Sequence, residues 1–387
     1  MRRDPALTRR EFATLIARGA IGAAAIGALP SCMRAPVLGG AARATDLIER
    51  SDRPEQLETS VAALGGDWLT PNDQFFVRSH LMTPEVDARS WRLETAGLVA
   101  RPQTFGLTEL RALGEVEHAI TIECAGNGRG LMPLPNTSGT QWTYGAVGNA
   151  RWKGVPLSRL LDRIGASERA THVWFEGADI APMPDVPKFI RSLPIAKARA
   201  DVLLALEMNR APLPALHGGP LRAVTPGWYG MASTKWLTKI TLEDRPSDNH
   251  FQIRGYRWNA PGEDPLKAAA VEEMRVKSVI TRPLDGATLN AGRVTAEGFA
   301  WGGAAMVRTV EVSLDGGGTW RPAAFRGELQ PGAWRSWTAE LDVPSGRSTL
   351  MARATDERGD TQPLDIALNA GGYGNNRIHR VTFDVRS

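Results

Sequence analysis

A chain of 387 residues exceeds the size at which one hydrophobic core keeps growing, so we expect two folded domains. Its composition, 42% hydrophobic and 23% charged, is ordinary for a globular protein and excludes a fibrous or wholly disordered chain. The first 32 residues hold five arginines against two acids and so carry +3 of the formal charge of +4. The remainder is near neutral, which argues against nucleic acid as a partner.

Residues 1–44 are predicted to be an export leader. A paired arginine in Thr8-Arg9-Arg10-Glu11-Phe12 precedes an Ala/Gly-rich run from Gly19 to Leu29, which is too short to span a bilayer. This arrangement is typical of a twin-arginine signal and predicts a periplasmic protein that is exported already folded, commonly with a cofactor. The alternative is a short amphipathic helix on a cytosolic protein.

Two endings of the leader compete. Leu29-Pro30-Ser31-Cys32 resembles a lipoprotein box, which would make Cys32 a lipid anchor. Ala42-Arg43-Ala44 offers the small-x-small pattern of ordinary signal cleavage. Proline is unusual in a lipoprotein box, so the second ending is favoured.

The chain has two cysteines, Cys32 and Cys124. It therefore contains no Cys-x-x-Cys-His motif for c-type haem and no cysteine cluster for an iron–sulfur site. If the protein catalyses redox chemistry, its electrons are expected to pass to another protein.

Residues 45–270 are predicted to form an α+β domain, because short helices and short strands alternate between dense Pro, Gly and Asp turns. The predicted helices are Leu107 to Leu113 and Leu157 to Ile164. The predicted strands include Ala119 to Ile122, His172 to Phe175 and Thr238 to Leu242.

Residues 271–387 are predicted to form a β-sandwich, since almost every segment beyond Val276 is strand-like and turn signals recur between the segments. The predicted strands are Val279 to Thr281, Val294 to Ala296, Thr309 to Leu314, Leu341 to Val343 and Val381 to Val385.

A glycine-containing loop, Glu123-Cys124-Ala125-Gly126-Asn127-Gly128-Arg129, follows one of the predicted strands. Small residues let the backbone approach a bulky ligand, and a thiol there can be presented to a metal. The alternative for an isolated motif of this kind is a buried, inert cysteine.

This loop resembles the molybdenum-ligand loop of the sulfite oxidase family, and further family-like motifs follow in the family order. The resemblance runs from about Pro71 to the C-terminus. It includes Phe75-Phe76-Val77-Arg78-Ser79-His80, Trp142, Ala150 to Leu157, Glu176 to Asp179, Glu207 to Asn209, His217 to Arg222 and Pro226 to Leu237.

The resemblance implies a molybdopterin-binding domain followed by an immunoglobulin-like β-sandwich that forms a dimer. It implies a molybdenum–molybdopterin cofactor with Cys124 as the protein ligand of the metal, because a soft thiolate suits such a centre. The residues implied in cofactor binding are Phe76, Val77, Arg78, Ser79, His80, Asp179, His217, Arg222, Ser233, Thr234 and Lys235.

The substrate pocket implied by the resemblance contains Arg78, His80, Arg129, Trp142 and Tyr256. Tyr256 is placed by counting without gaps from His217, and Tyr229 is the runner-up. The chain departs from the family pattern at Gly371, where many members have a further pocket arginine that the second domain supplies. Arg377 is the residue that could replace it from a shifted loop.

The implied reaction is the oxidation of sulfite to sulfate by oxygen-atom transfer, with a separate c-type cytochrome as electron acceptor. Gly371 favours an alternative, in which the same cofactor reduces sulfoxides or oxidises another small sulfur compound. A structural sandwich protein that retains an ancestral cofactor fold is the third interpretation, and the intact Cys124 argues against it.

Overall fold

The computed structural model describes residues 47–134 and 137–386. The leader predicted over residues 1–44, including Arg9, Arg10 and Cys32, lies outside the described residues, and the predictions made for it stay predictions. Within the described ranges, no helix is both long and apolar enough to cross a bilayer.

The helices are short and the strands dominate. The α-helices are α1 (Val61–Leu64), α2 (Leu107–Arg111), α3 (Leu157–Ile164), α4 (Ile195–Asp201) and α5 (His250–Ile253). The strands up to residue 243 are β1 (Leu47–Ser51), β2 (Gln56–Thr59), β3 (Val77–Arg78), β4 (Leu93–Gly97), β5 (Thr104–Phe105), β6 (Val116–Glu123), β7 (Val147–Pro156), β8 (His172–Gly177), β9 (Ile190–Pro194), β10 (Leu203–Met208), β11 (Ala211–Pro212), β12 (Arg222–Val224) and β13 (Leu237–Glu243).

The first part of the chain folds into three sheets with the helices packed against them. Their strand orders are β1-β2-β3, then β11-β10-β7-β6 with β12 also paired to β10, and β5-β4-β13-β8-β9. Helix α3 shows how the sequence specifies the packing: Leu157, Leu160, Leu161 and Ile164 recur at helical spacing and are all fully buried. These side chains join the core beneath the last two sheets.

The second part of the chain consists of strands. They are β14 (Lys277–Arg282), β15 (Thr288–Asn290), β16 (Gly292–Trp301), β17 (Val307–Ser313), β18 (Arg321–Pro322), β19 (Ala324–Arg326), β20 (Arg335–Val343), β21 (Gly346–Asp356) and β22 (His379–Arg386). They form one sheet of order β14-β16-β20-β19 and a second of order β15-β22-β21-β17-β18.

Alternating burial identifies the inner faces of these two sheets. On β20 the buried residues include Trp337, Ala339 and Leu341, with more exposed residues between them. On β22 the same alternation buries Val381 and Phe383, and all five belong to one core cluster. The predicted fold class, an α+β domain followed by a β-sandwich, is confirmed.

The two parts are joined at the end of β6. The ammonium of Lys277, on β14, lies 2.9 Å from Oε1 of Glu123, and both side chains are buried. The indole of Trp301, on β16, donates to the other carboxylate oxygen at 2.9 Å. Asn375 donates from its amide to the carbonyl of Gly128 at 2.8 Å. The sandwich therefore holds the loop that carries Cys124.

Candidate active site

A cavity of about 700 Å³, including its part open to solvent, lies at the C-terminal end of β6. The lining residues come from distant parts of the sequence: Phe75, Phe76, Val77, Arg78, His80, Ile122, Cys124, Ala125, Asp179, Phe189, Leu216, His217, Arg222, Gly230, Met231, Ser233, Lys235, Trp236 and Tyr256.

Cys124 is the first residue after β6 and carries a free thiol that lines the cavity. Its amide donates to the carbonyl of Ala146 at 2.9 Å, and its own carbonyl accepts from the amide of Asn127 at 2.8 Å. Gly128 ends this turn with φ +89°, a left-handed conformation that favours glycine. The local backbone therefore holds the thiol at the cavity wall.

One part of the cavity is built from cationic residues, the buried Arg222 and the half-buried Lys235. Arg222 donates to the carbonyls of His217 and Ser233 at 2.9 and 3.1 Å. Lys235 donates to the hydroxyl of Ser79 at 2.8 Å and to the carbonyl of Leu216 at 3.0 Å. Their charges have no carboxylate within ion-pair distance among the described residues. Such a wall suits an anionic ligand.

Burial shifts the pKa values on this wall. It lowers the pKa of Arg222 to about 9, and that of Lys235 well below the ordinary value for lysine. Burial likewise lowers the pKa of His217 to about 3, so this imidazole is neutral at pH 7. Burial raises the pKa of Asp179 to about 6. Each shift arises because burial disfavours the charged form of the group.

A second part of the lining contains His80 and Tyr256. The imidazole Nε2 of His80 is hydrogen-bonded to the Tyr256 hydroxyl, and its ring stacks on Phe189 with centroids 4.2 Å apart. Burial, and after it the positive charge of Arg78, holds the pKa of His80 well below its ordinary value. Burial raises the pKa of Tyr256. At neutral pH this part of the lining therefore presents a neutral imidazole, a protonated phenol and one guanidinium.

The structure brings together most of the predicted site residues, but four of them do not line the cavity: Ser79, Arg129, Trp142 and Thr234. The Ser79 hydroxyl accepts from Lys235, and Thr234 lies between the lining residues Ser233 and Lys235. Arg129 is 7% exposed and donates to the carbonyls of Gly371 and Thr140 at 2.8 and 2.9 Å. Trp142 is fully buried, and its indole N–H has no hydrogen-bond partner in the described residues.

The remaining tyrosine candidate, Tyr229, does not line the cavity. It is 2% exposed, and its hydroxyl accepts from the amide of Arg275 at 3.3 Å.

Comparisons with known proteins agree on one family. Residues 80–251 match the model of the oxidoreductase molybdopterin binding domain, and residues 268–386 match the Mo-co oxidoreductase dimerisation domain. Mitochondrial sulfite oxidase of Homo sapiens is 37% identical over 353 residues, which cover 86% of this chain and 64% of the human protein. The chain belongs to the sulfite oxidase family.

Two further proteins are similar to this sulfite oxidase family member. The NAD(P)H nitrate reductase of Hordeum vulgare is 33% identical over 82% of this chain and 39% of its own length. The crystal structure of the sulfane dehydrogenase SoxCD from Paracoccus pantotrophus superposes with a TM-score of 0.77 at 30% identity, covering 87% of this chain and 88% of that one. The chain thus spans less than two thirds of the human sulfite oxidase and of the nitrate reductase.

The cofactor of this family member is molybdenum–molybdopterin, and the residues present fit it. The buried hydroxyl of Thr234 has no hydrogen-bond partner within the described part of the chain, beside the cavity-lining Ser233 and Lys235. Such an orphaned group is expected where a polar ligand supplies the missing partner. The Cys124 thiol offers a soft ligand in the same cavity, and Arg222 and Lys235 offer cations for a phosphorylated pterin.

The structure shows what occupies the space beside Gly371, where the resemblance predicted a further pocket arginine. The φ of this glycine lies outside the left-handed region, but a Cβ there would come within 2.0 Å of the Tyr373 ring. That ring stacks on Tyr256 with centroids 5.1 Å apart. Arg377, the suggested replacement, lies 3.1 Å from Asp365 in an ion pair and does not line the cavity. Tyr373 therefore occupies the space that a side chain at position 371 would need.

The sequence analysis missed Arg191 and the pair formed by Glu123 and Lys277. Arg191 lies on β9 and is 2% exposed, with its guanidinium 5.3 Å from the Tyr256 ring centroid. In the sequence, an arginine between Ile190 and Ser192 is typical of an outward-facing strand residue. The local pattern therefore did not indicate that Arg191 is buried. Glu123 and Lys277 are 154 positions apart, and nothing in either segment indicates the other.

Proposed function

We propose that the protein oxidises sulfite to sulfate by oxygen-atom transfer and passes two electrons, one at a time, to a separate c-type cytochrome. The observation that carries this proposal is the convergence of Arg78, His80 and Tyr256 on the cavity that holds the Cys124 thiol. A small divalent anion needs fixed positive charge and hydrogen-bond donors, and these three residues offer both.

The first group of proposed roles belongs to the residues that would bind the cofactor. Arg222, His217 and Lys235 would bind the phosphate and polar edges of the pterin, with the hydroxyls of Ser79, Ser233 and Thr234 as further partners. Asp179 would accept from pterin N–H groups. Phe76 and Val77 line the same cavity, and Cys124 would ligate the metal.

The substrate side would bind and orient the anion. When bound, the molybdenum centre supplies the two-electron redox change and the oxygen that is transferred. Arg78 would bind the sulfite oxygens directly, and Arg129 would add positive charge from behind the lining, with Trp142 packed nearby. The Tyr256 hydroxyl, hydrogen-bonded to neutral His80, would donate to a substrate oxygen.

Localisation and assembly are part of the same proposal. Arg9 and Arg10 would direct twin-arginine export to the periplasm, where c-type cytochromes are available, and Cys32 is the site of a lipid anchor if the lipoprotein box is used. The match of residues 268–386 to a dimerisation domain supports a homodimer. Mass spectrometry of the mature N-terminus and light scattering of the purified protein test these two points.

A second candidate keeps the cofactor and changes the substrate to another small sulfur compound, by oxidation or by sulfoxide reduction. Gly371 and the Tyr373 ring favour it, because they replace a cation with an aromatic surface. The structural similarity to a sulfane dehydrogenase points the same way.

One experiment separates the candidates. The purified, molybdenum-loaded protein is mixed with oxidised cytochrome c and either sulfite, thiosulfate or no substrate, and reduction is followed by absorbance. A parallel assay uses a reduced viologen dye with a sulfoxide or with nitrate. Reduction of cytochrome that depends on sulfite supports the proposal, whereas turnover only with one of the other compounds refutes it.

A further inference from the structure

Arg191 is a buried cation that forms no ion pair within the described residues, although the charge of Glu272 acts on it from beyond ion-pair distance. The side chain lies on β9, and one of its Nη atoms donates to the carbonyl of Phe251. Its Nε is buried without a hydrogen-bond partner in the described residues, and no carboxylate there lies within ion-pair distance. Burying a charge without a close counter-charge is unfavourable, so packing alone does not explain an arginine at this position.

The surroundings of Arg191 connect it to the cavity. Its guanidinium lies 5.3 Å from the ring centroid of Tyr256, which lines the cavity. Tyr256 stacks on Tyr373, and the guanidinium of Arg129 lies 5.3 Å from the Tyr373 centroid. Each of the two stacked rings is thus contacted by an arginine, Tyr373 by Arg129 from the cysteine loop and Tyr256 by Arg191 from β9.

This arrangement lies beside Gly371, the position at which the resemblance predicted a further pocket arginine. Tyr373 fills the space beside Gly371, so the second domain supplies an aromatic ring instead of a cation. The charge of Arg191 enters from the first domain, behind the ring on which Tyr373 stacks. We propose that Arg191 is a specificity-determining, positioning residue, which supplies the third positive charge of the anion pocket and holds Tyr256 against the substrate. This inference rests on the proposed function.

Electrostatics within the site agree with the geometry. Burial lowers the pKa of Arg191 to about 10, so its guanidinium remains charged at neutral pH. After burial and Arg78, the charge of Arg191 is the next largest cause that lowers the pKa of His80, ahead of Lys235 and Arg129. The field of Arg191 therefore reaches the groups that face the substrate, and an anion bound there would be attracted by it.

Three substitutions separate the charge from the packing role. Arg191→Gln keeps a donor for the Phe251 carbonyl and removes the charge, Arg191→Lys keeps the charge, and Arg191→Met removes both. Arg245→Met is the matched control, because Arg245 is exposed, lies beyond the far end of β13 and also contacts a tryptophan ring. The readouts are the dissociation constant of sulfate by calorimetry, and KM and kcat for sulfite.

The proposal predicts that Arg191→Gln and Arg191→Met each weaken sulfate binding about tenfold or more and raise the KM for sulfite similarly, because a charge-assisted contribution is lost. Burial lowers the pKa of a lysine, so the Lys variant is compared at about pH 6, where its ammonium is more readily protonated. We expect Arg191→Lys to lose less sulfate affinity there than Arg191→Gln. Arg245→Met should leave sulfate binding unchanged.

Sulfate affinity in Arg191→Gln equal to that of wild type would overturn the inference, even if the variant were less stable. Losses that stay equal in the Lys and Gln variants at about pH 6 would also overturn it, because they would assign Arg191 a shape role rather than a charge role. Sulfate binding is measured without turnover. A wild-type protein that fails to oxidise sulfite would therefore refute the proposed function separately from the role of Arg191.

Discussion

The buried pair of Lys277 and Glu123 should be the strongest electrostatic link between the two parts of the chain. Their side chains are 4% and 2% exposed, and Nζ lies 2.9 Å from Oε1. In Lys277→Met, Glu123 keeps two neutral donors, Asn127 at 3.0 Å and Trp301 at 2.9 Å, but loses its counter-charge. Breaking a buried pair costs about 3–5 kcal/mol, and the two remaining donors place our expectation near the lower end, at about 3 kcal/mol.

The assay is urea unfolding of the full chain, followed by circular dichroism. Lys239→Met is the matched control, because it removes the same residue type from a 2.7 Å pair with Glu94 whose side chains are 35% and 54% exposed. An exposed pair contributes about 1 kcal/mol or less, so the control should unfold near wild type. Adding Glu123→Gln to Lys277→Met should recover stability, since it removes the uncompensated charge. A loss in Lys277→Met no larger than in the control would refute this reasoning.

Three further predictions concern the pocket and pH. Arg78→Met and Arg129→Met should each lower kcat/KM for sulfite by about 30-fold or more in steady-state assays, because each removes a charge-assisted contribution to anion binding; unchanged values would show that the pocket binds another substrate. Gly371→Arg should reduce thermal stability because its Cβ meets the Tyr373 ring, whereas the double variant with Tyr373→Gly should fold normally; a stable single variant would contradict this. Burial lowers the pKa of His379 to about 3, so the unfolded chain binds the extra proton first and stability should fall as pH drops from about 6.5 towards 3. In urea titrations across this range His379→Asn, which keeps an acceptor for the Ile280 amide, should flatten the decline, and an equal slope would exclude His379 as its cause.

Local patterns in the sequence were sufficient for most of the fold. The helical spacing of Leu157, Leu160, Leu161 and Ile164 predicted α3, and the structure has the same bounds. The other predicted helix ends at Arg111, two residues earlier than expected, before a left-handed Gly114. Strand-like segments and the turn signals between them located the sandwich strands after Val276, and the structure shows that one face of these strands is buried.

The sequence predicted only those site residues that lie in recognisable motifs or at a fixed spacing from one. Counting from His217 placed Tyr256 at the cavity, where the structure also has it. The sequence does not show how far a side chain lies from the cavity lining. Arg129 and Trp142 therefore could not be distinguished from residues that contact the cavity directly. Arg191 was missed because its burial arises from packing of α5 and Tyr256 over β9, which no local pattern encodes.

The central claim is that Cys124 supplies the protein thiolate to the metal in this cavity. The most direct test is X-ray absorption at the molybdenum edge on the purified wild-type protein and on Cys124→Ser. Cofactor content is measured in parallel from the molybdenum and the pterin released. We predict one sulfur neighbour fewer in the serine variant, with pterin largely retained and sulfite turnover lost, because oxygen is a harder donor than sulfur. Equal sulfur counts in the two proteins, or full sulfite activity in Cys124→Ser, would contradict the account.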